Sequence, residues 1–531
     1  MPKKTNPPPP ILFAAGFADA VTAAVAARFG LADPGCIQPP QLDVPQRVRE
    51  LLAHGSERNA HAGAILALTG ASGGGKTRAL HELAKDHAHL GVLDLDTVKL
   101  DPSTTPATQV AKALRHHDPR ISRRHPLHES GHVERLLNLL SRCGLGEAHL
   151  LVRPARTLSQ GETFRLKLAL ALARQPRLLI IDEFGAVLDD VVAAAVAGSL
   201  RKLADRLGLH IMVAAPRDDF VPELQPDLWW RFKLGAPPRV ATDEERAAPR
   251  RLVDEVEIVR GERRHWPHFA QWHYRAHTVG ITSDIFLLRH KPSDEEIGIA
   301  IYSYPALQAS QRNAVFGRNI PFAGTKRGDG SQKIRARWFN ANFRVLHRLV
   351  LDPRFRGAGL GAHLVRETVG ELDVPFVECF TSLGGYSGFL QAAGFTRYEA
   401  REPCKHTTRL VEALAEYGFA SSDLEAESIR RAYNKLGKRA RQQVDDAFAA
   451  AFGKRLAYVR PRYRGLEYAP GLLGKQSEQG DVFVAALREL VLTRAMVPFY
   501  FLWTRDEAAA RFVQGDDAAL MPKKMRRRAA G

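Results

Sequence analysis

Residues 70–77 read Gly-Ala-Ser-Gly-Gly-Gly-Lys-Thr and follow directly on the largely apolar run from Ala64 to Thr69. Few octapeptides restrict a fold as tightly. The run before it reads as a buried strand, its glycines free the backbone to curl, and Arg78 to His87 reads as a helix. Strand, glycine loop and helix in that order form a phosphate-binding loop, in which backbone N–H groups converge on phosphate oxygens at a helix N-terminus. The fold class expected is therefore α/β around this loop. Gly70, Ser72, Gly73 and Gly75 are expected to line the phosphates of ATP. Lys76 reaches the β and γ phosphates, and Thr77 supplies a hydroxyl to Mg2+.

The chain has room for more than this unit. Its 531 residues predict three or four domains. Lys and Arg outnumber Asp and Glu by 76 to 58, a net charge of +18. That excess favours a polyanionic partner, of which nucleic acid is the commonest, with a solubilising surface as the equal alternative. Cys36, Cys143, Cys379 and Cys404 are scattered without a CxxC pair, which places the chain in the reducing cytoplasm. Asp19 and Arg28 interrupt the apolar stretch from Ile11 to Leu31, and Arg488, Glu489 and Arg494 interrupt that from Val482 to Trp503. No membrane span is expected.

The organisation expected is a partly helical lead-in over 1–58, the P-loop domain over 59–235 and a proline-bearing linker over 236–253. A strand-rich, Gly-punctuated domain follows over 254–405, then a helical, basic region over 406–531.

Two further motifs belong to the first domain. Leu178-Leu179-Ile180-Ile181-Asp182-Glu183 is a buried strand that ends in two acids, delivering Asp182 to Mg2+ and Glu183 to the attacking water as a base. Leu158-Ser159-Gln160-Gly161-Glu162 opens a helix, with Ser159 23 positions before Asp182. This set resembles the ABC-type ATPases over residues 60–235: Ser159 and Gly161 lie in the signature motif and Asp189 at the D-loop aspartate. The resemblance implies an ATP-sandwiched homodimer in which Ser159 and Gly161 act on the γ-phosphate held by the other copy. The family's switch histidine is missing from Ile211 to Asp218, His210 precedes that strand, and Gln109 is the candidate for the Q-loop glutamine.

About 280 residues after Lys76 comes a second glycine turn, Arg356-Gly357-Ala358-Gly359-Leu360-Gly361. It follows the strand Phe343 to Leu351 and opens a helix through Val369. Earlier, Asp284 to Tyr302 reads as a hairpin; later, Pro375 to Phe380 reads as a strand and Phe389 to Phe395 as a helix closed by Gly394. This order resembles the GNAT acetyltransferases. It implies that N–H groups from about Gly357 to Gly361 bind the pyrophosphate of acetyl-CoA or another acyl-CoA, with Arg356 in the motif and Leu351 at the thioester. Glu378 and His347 are the candidate bases, and Tyr386 the candidate acid, because Leu390 occupies the family's usual tyrosine position. The residue-level alternatives are core filling for Tyr386, an arginine partner for Glu378 and solvent for His347.

The pairing of both halves resembles a prokaryotic family in which an ABC-type ATPase is fused to an acetyltransferase domain. It shares Leu224-Gln225-Pro226-Asp227, Tyr302-Ser303-Tyr304-Pro305 and Arg366-Glu367-Thr368 among other segments. Trp266, His268, Trp272, Tyr274, Arg275 and His277 form an aromatic and basic cluster, for which core packing is the leading reading and base stacking the alternative. Arg430, Arg431, Lys435, Lys438, Arg439 and Arg441, with the basic run from Lys523 to Arg528, are expected to contact a nucleic-acid backbone. The functional expectation is an ATPase coupled to an N-acyltransferase acting on or with nucleic acid. The alternatives are a protein or small-molecule amine acceptor, or a GNAT fold used only for binding.

Overall fold

The computed structural model describes residues 22–23, 46–54, 62–117, 130–233, 236–242, 244–245, 251–273, 279–317, 320, 331–381, 384–398, 405–419, 425–456, 461–495 and 499–514. Tyr274, Arg275, His277, Cys36, Cys404 and the basic run from Lys523 lie outside them. Residues 1–54 form one compact unit and 55–531 another. The described part of the first is mainly the helix Gln46–His54, where Gln46 donates to Glu50 one turn on at 2.7 Å.

Among its described residues the second unit contains two sheets. The first has the order β2-β3-β4-β1-β5-β6, with β1 Ile65–Gly70, β2 Val92–Asp94, β3 Leu178–Ile181, β4 His210–Ala215, β5 Leu228–Lys233 and β6 Ala236–Val240. All pairings are parallel except β5 with β6. Central strands of a parallel sheet are covered on both faces, which is why β1, β3 and β4 are almost wholly apolar. The start of the expected linker is part of this sheet. Pro237 and Pro238 sit in β6, an edge strand whose pairing with β5 shifts register between Arg231 and Lys233, opposite the two prolines.

The second sheet runs β12-β13-β11-β10-β9-β8-β7. Its strands are β7 Val256–Arg260, β8 Thr282–His290, β9 Glu295–Ser303, β10 Phe343–Leu351, β11 Phe376–Thr381, β12 Thr396–Tyr398 and β13 Phe499–Thr504. The expected hairpin is β8 with β9, in antiparallel register from Thr282↔Ser303 to His290↔Glu295. Only β10 and β11 pair in parallel, and only over Phe343–Val345. Beyond that the two strands part. β10 stays on β9 with a bulge between Leu346 and Arg348, while β11 stays on β13 to Thr381.

Strand β13 corrects the expected boundary at 405. The region after it is not wholly helical: Phe499-Tyr500-Phe501-Leu502-Trp503-Thr504 inserts between β11 and β12. Its side chains alternate across the sheet, Phe501 into one apolar core and Tyr500 and Leu502 into another, so both faces are buried. Between the two, the helices Lys405–Glu416, Ala426–Asn434, Lys438–Ala451 and Glu478–Ala495 build a separate apolar core around Leu410, Val444, Phe448 and Leu490. Arg430 there is buried and paired with Asp481, so it is not on a free basic face. Among the described residues no helix is long and apolar enough to cross a membrane.

One helix serves both sheets. Asp190–Leu207 buries Ala193, Val196, Ala197 and Leu200 in the core of the first sheet, and Ala194 and Ala195 in that of the second. An alanine face lets backbones approach closely, so the two domains share this helix as a common wall. Trp266 and Phe269 are buried under β8 and β9, so the core-packing reading holds for that part of the aromatic cluster.

Candidate functional site

The P-loop lies between β1 and the helix Lys76–Asp86, with Gly70, Gly73 and Gly75 at φ 134, 81 and 93°. These angles exclude most side chains. At Gly70 a Cβ would also stand 1.9 Å from the Phe232 carbonyl oxygen, so β5 approaches too closely for any other residue. Ser72, Gly73, Gly75 and Thr77 are exposed around the loop. Lys76 folds over it and donates to the carbonyls of Gly70 and Ala71 at 2.6 and 2.8 Å. Burial lowers the pKa of its ammonium, against the opposing charges of Asp182 and Glu183. Lysine, P-loop and acid pair therefore share one place, with the chemistry that a magnesium–nucleotide complex needs.

Strand β3 brings Asp182 to the edge of that place, where its carboxylate accepts from the Glu183 N–H at 2.8 Å. Glu183 has φ 49°, a left-handed backbone that costs a non-glycine residue about 1 kcal/mol. Its neighbour Phe184 holds the turn: its N–H donates to Ala214 at 2.9 Å, and its buried ring meets Phe164 and Phe220 edge-on. Strain of this kind persists where the surroundings over-determine it. Asp96, just past β2, was missed by sequence reasoning. Its pKa is raised by burial, by Asp94 and by Asp182, which places it in the same electrostatic neighbourhood.

Ser159 caps the helix Gln160–Ala173 in a reciprocal box with Glu162. Gly161, one residue into it, is buried against the Asp190–Leu207 helix, where a Cβ would lie 2.7 Å from Val192 Cγ1. Asp189 caps that second helix through the Val192 N–H at 2.9 Å and is exposed. Gln109 is corrected: its amide is spent within 101–104, bonded to Asp101 N and O at 3.0 and 2.8 Å. His210 stands at the start of β4, accepting from Ala64 N at 3.2 Å, at the opposite end from Asp182. After β4, where a switch histidine is expected, Arg217 instead binds Asp190 and the Leu188 carbonyl at 2.6 and 3.1 Å.

The second glycine loop is not an open cradle. Gly357 and Gly359 have φ 104 and 95°, and Gly359 caps the helix Leu360–Val369. The loop is pressed on the first domain. Lys202 donates to Gly357 O at 2.5 Å, and Arg165 donates to Arg356 O at 2.7 Å. A Cβ on Gly357 would lie 2.4 Å from Ser199 Oγ and 3.1 Å from Ala195 O. Arg356 bonds the Leu351 carbonyl at 2.9 and 2.6 Å and pairs with Glu147. Ala358 and Leu360 are buried, and a Cβ on Gly361 would stand 3.4 Å from Leu351 Cδ1 and 3.5 Å from Leu349 Cδ2. Burial lowers Lys202 to about 8, and Arg165 and Arg356 to about 10.

The candidate acyl-transfer groups divide. Glu378 is fully buried: Arg312 donates to both its oxygens at 2.9 and 2.7 Å, and Tyr500 adds a third bond at 3.1 Å. A carboxylate so enclosed has no room for a substrate proton, so the expectation of a base there is corrected to an ion pair. His347 sits in the β10 bulge beside the gap between β10 and β11. Its Nδ1 is buried with no hydrogen-bond partner among the described residues. Burial, then Arg348 and His273, push its pKa down to about 4, so the ring is neutral at pH 7. Tyr386 is half-buried, edge-on to Phe499 at 5.7 Å, and burial raises its pKa. Leu390 is core.

Residues 54–186 match the family model described as ABC transporter. The chain carries an ABC-type ATPase domain there, which implies ATP, Mg2+ and ATP hydrolysis. A Bacillus cereus protein described as an ABC transporter ATP-binding protein is 28% identical over 179 residues, 30% of this chain and 32% of that protein. The aligned part of the chain thus spans about a third of the length of that relative. The cbiO1 protein of Clostridium perfringens, part of the ABC transporter complex cbiONQ, is 22% identical with a TM-score of 0.27, over 34% of this chain and 76% of that one. A dimeric post-hydrolysis ATP-binding cassette bound to ADP and Pi is 18% identical with a TM-score of 0.27, over 34% and 85%.

Proposed function

We propose that this chain is an ABC-type ATPase whose nucleotide state controls a GNAT-like N-acyltransferase domain acting on or with nucleic acid. The observation that carries the reading is the parting of β10 and β11 beyond Val345, with the glycine loop 356–361 following β10. The β10 edge beyond the split has no strand on that side among the described residues. Its N–H groups are therefore placed to receive a carbonyl oxygen, and the helix opening at Leu360 favours an anion. Acyl-coenzyme A, when bound, supplies an activated acyl group.

In this reading Lys76, Thr77 and Asp182 hold the magnesium nucleotide, and Glu183 orients the attacking water. Ser159, Gly161 and Asp189 act across an ATP-dependent homodimer. His347 accepts a proton from the attacking amine in its neutral form, and the Tyr386 phenol returns one to the leaving thiolate. Because Arg165 on the signature helix and Lys202 on the D-loop helix hold the glycine loop, movement of those helices changes access to it.

A second reading has specific support. Glu378 is enclosed, Leu390 replaces the usual acid and the loop is covered, all of which favour a GNAT fold that binds without transferring. Mass spectrometry of nucleosides from cells expressing wild type, Gly359→Trp or Lys202→Ala decides between them. A mass-shifted nucleoside absent only with Gly359→Trp supports transfer to nucleic acid; unchanged nucleosides with all three soluble proteins favour the binding module or another acceptor.

A further inference from the structure

A cleft of about 730 Å³ lies between the ATPase domain and the second sheet, away from the P-loop. The helix Ser130–Arg142 and the lead into β3 form one wall; the short helix Gly384–Ser387, β12 and β13 form the other. Four guanidinium groups line it, Arg135, Arg142, Arg177 and Arg397, against the single carboxylate of Glu134. Arg142 and Arg177 are exposed. Two aromatic rings stand among them. Tyr386 meets Phe499 edge-on at 5.7 Å, and the Arg397 guanidinium lies 4.2 Å over the Phe499 ring.

This lining has two chemical halves. Guanidinium groups bind phosphate oxygens in pairs, and their excess over carboxylates disfavours a neutral or cationic ligand. Aromatic faces hold a planar base by stacking, which is indifferent to which base it is. An acidic peptide would use the first half and leave the second idle. The volume lies within the usual range for a small-ligand pocket, about 300–1,000 Å³.

We propose that this cleft binds a phosphorylated nucleoside, with phosphates on Arg142 and Arg177 and the base against Tyr386. The inference rests on the nucleic-acid part of the function proposed above and shares Tyr386 with its acyl-transfer part, whereas Arg142 and Arg177 belong to the cleft alone. It gives the overall positive charge a defined point of action, on a wall that both domains build.

The test is fluorescence anisotropy of a labelled oligothymidylate with the full chain, at low and high salt. Arg142→Glu/Arg177→Glu is expected to weaken binding at least about tenfold and to flatten the salt dependence, since two phosphate contacts are lost. The charge-matched Lys333→Glu/Arg337→Glu, two exposed residues on the helix Ser331–Asn342, controls for net charge. Tyr386→Leu is expected to weaken binding roughly tenfold with the salt dependence unchanged, because a stack and not a phosphate contact is removed.

Competition by AMP would identify a free nucleotide as a ligand of the cleft, and competition by oligonucleotide alone would identify a strand; either supports the proposal. Equal losses in both double variants, equal competition by polyglutamate, or no binding of either nucleotide probe would overturn it. Binding lost in the arginine variant while cellular nucleosides carry no acyl group would remove only the transfer half of the proposed function.

Discussion

Lys202, on the helix that follows the D-loop aspartate, donates to the carbonyl of Gly357, in the loop expected to receive an acyl donor, at 2.5 Å. The same helix leaves no room beside Gly357. Gly357→Ala combines an unfavourable φ of 104° with a Cβ 2.4 Å from Ser199 Oγ and 3.1 Å from Ala195 O. It should destabilise the protein by about 1–3 kcal/mol. Adding Ser199→Ala should restore only part of this, because the Ala195 carbonyl cannot withdraw. Calorimetry reads both, and an unchanged Tm in Gly357→Ala would show that the contact is loose.

Gly161 gives a way to separate packing from phosphate binding in the signature motif. Gly161→Ala sets a methyl 2.7 Å from Val192 Cγ1, and β-branched valine has little freedom to move aside. ATP turnover should fall at least tenfold and recover substantially in Gly161→Ala/Val192→Ala. Failure of the second change to restore turnover would mean that the glycine is needed at the phosphate itself.

Arg312 and Glu378 form a fully buried pair. Removing one partner leaves an uncompensated charge, at a cost of about 3–5 kcal/mol. Arg312→Met should lower the denaturant midpoint strongly, and Glu378→Gln should do so as well. A Glu378→Gln variant with wild-type stability and lost acyl transfer would return Glu378 to a base role.

The pair also shows where the sequence was legible and where it was not. The P-loop, the acid pair after β3 and the Ser159 cap are read within a dozen residues, because strand, turn and helix preferences act locally. Glu378 carries no such signal. Its partners are 66 and 122 positions away, and only the sheet brings Arg312 and Tyr500 to it. The same distance hid β13, whose residues continue an apolar run with the helix before them and declare themselves a strand only beside β11. Gln109 was a residue type without a position, which topology sent to a loop brace; His210 stands at the head of β4, where the sequence had put it.

His347 makes acid stability testable. Its folded pKa of about 4 lies below the ordinary value of 6.5, so the unfolded chain takes up the proton first. The stability tied to the neutral ring is complete above about pH 6.5 and lost as pH falls towards 4, on the order of 2 kcal/mol after discounting for partial exposure. His347→Gln should flatten the fall in Tm between those values. A parallel fall in both proteins would assign the acid sensitivity elsewhere.

Lys76 and Glu183 separate binding from turnover. Lys76→Ala should abolish nucleotide binding by calorimetric titration. Glu183→Gln should bind ATP, hydrolyse it at least a hundredfold more slowly and accumulate a dimer by light scattering. A Glu183→Gln protein that stays monomeric at saturating ATP would remove the sandwich arrangement.

The position of β13 has a consequence for how the molecule is made. Residues 376–381 leave the ribosome well before 499–504, and the helices of 405–495 emerge between them. Until residue 504 is available, the nascent chain holds β11 without its antiparallel neighbour, an unpaired edge carrying Phe376 and Phe380. Long-range strand pairing of this kind is slow, and it exposes the chain to association with other copies. During synthesis, the vulnerable surface of this protein is therefore one that ends covered inside its second sheet.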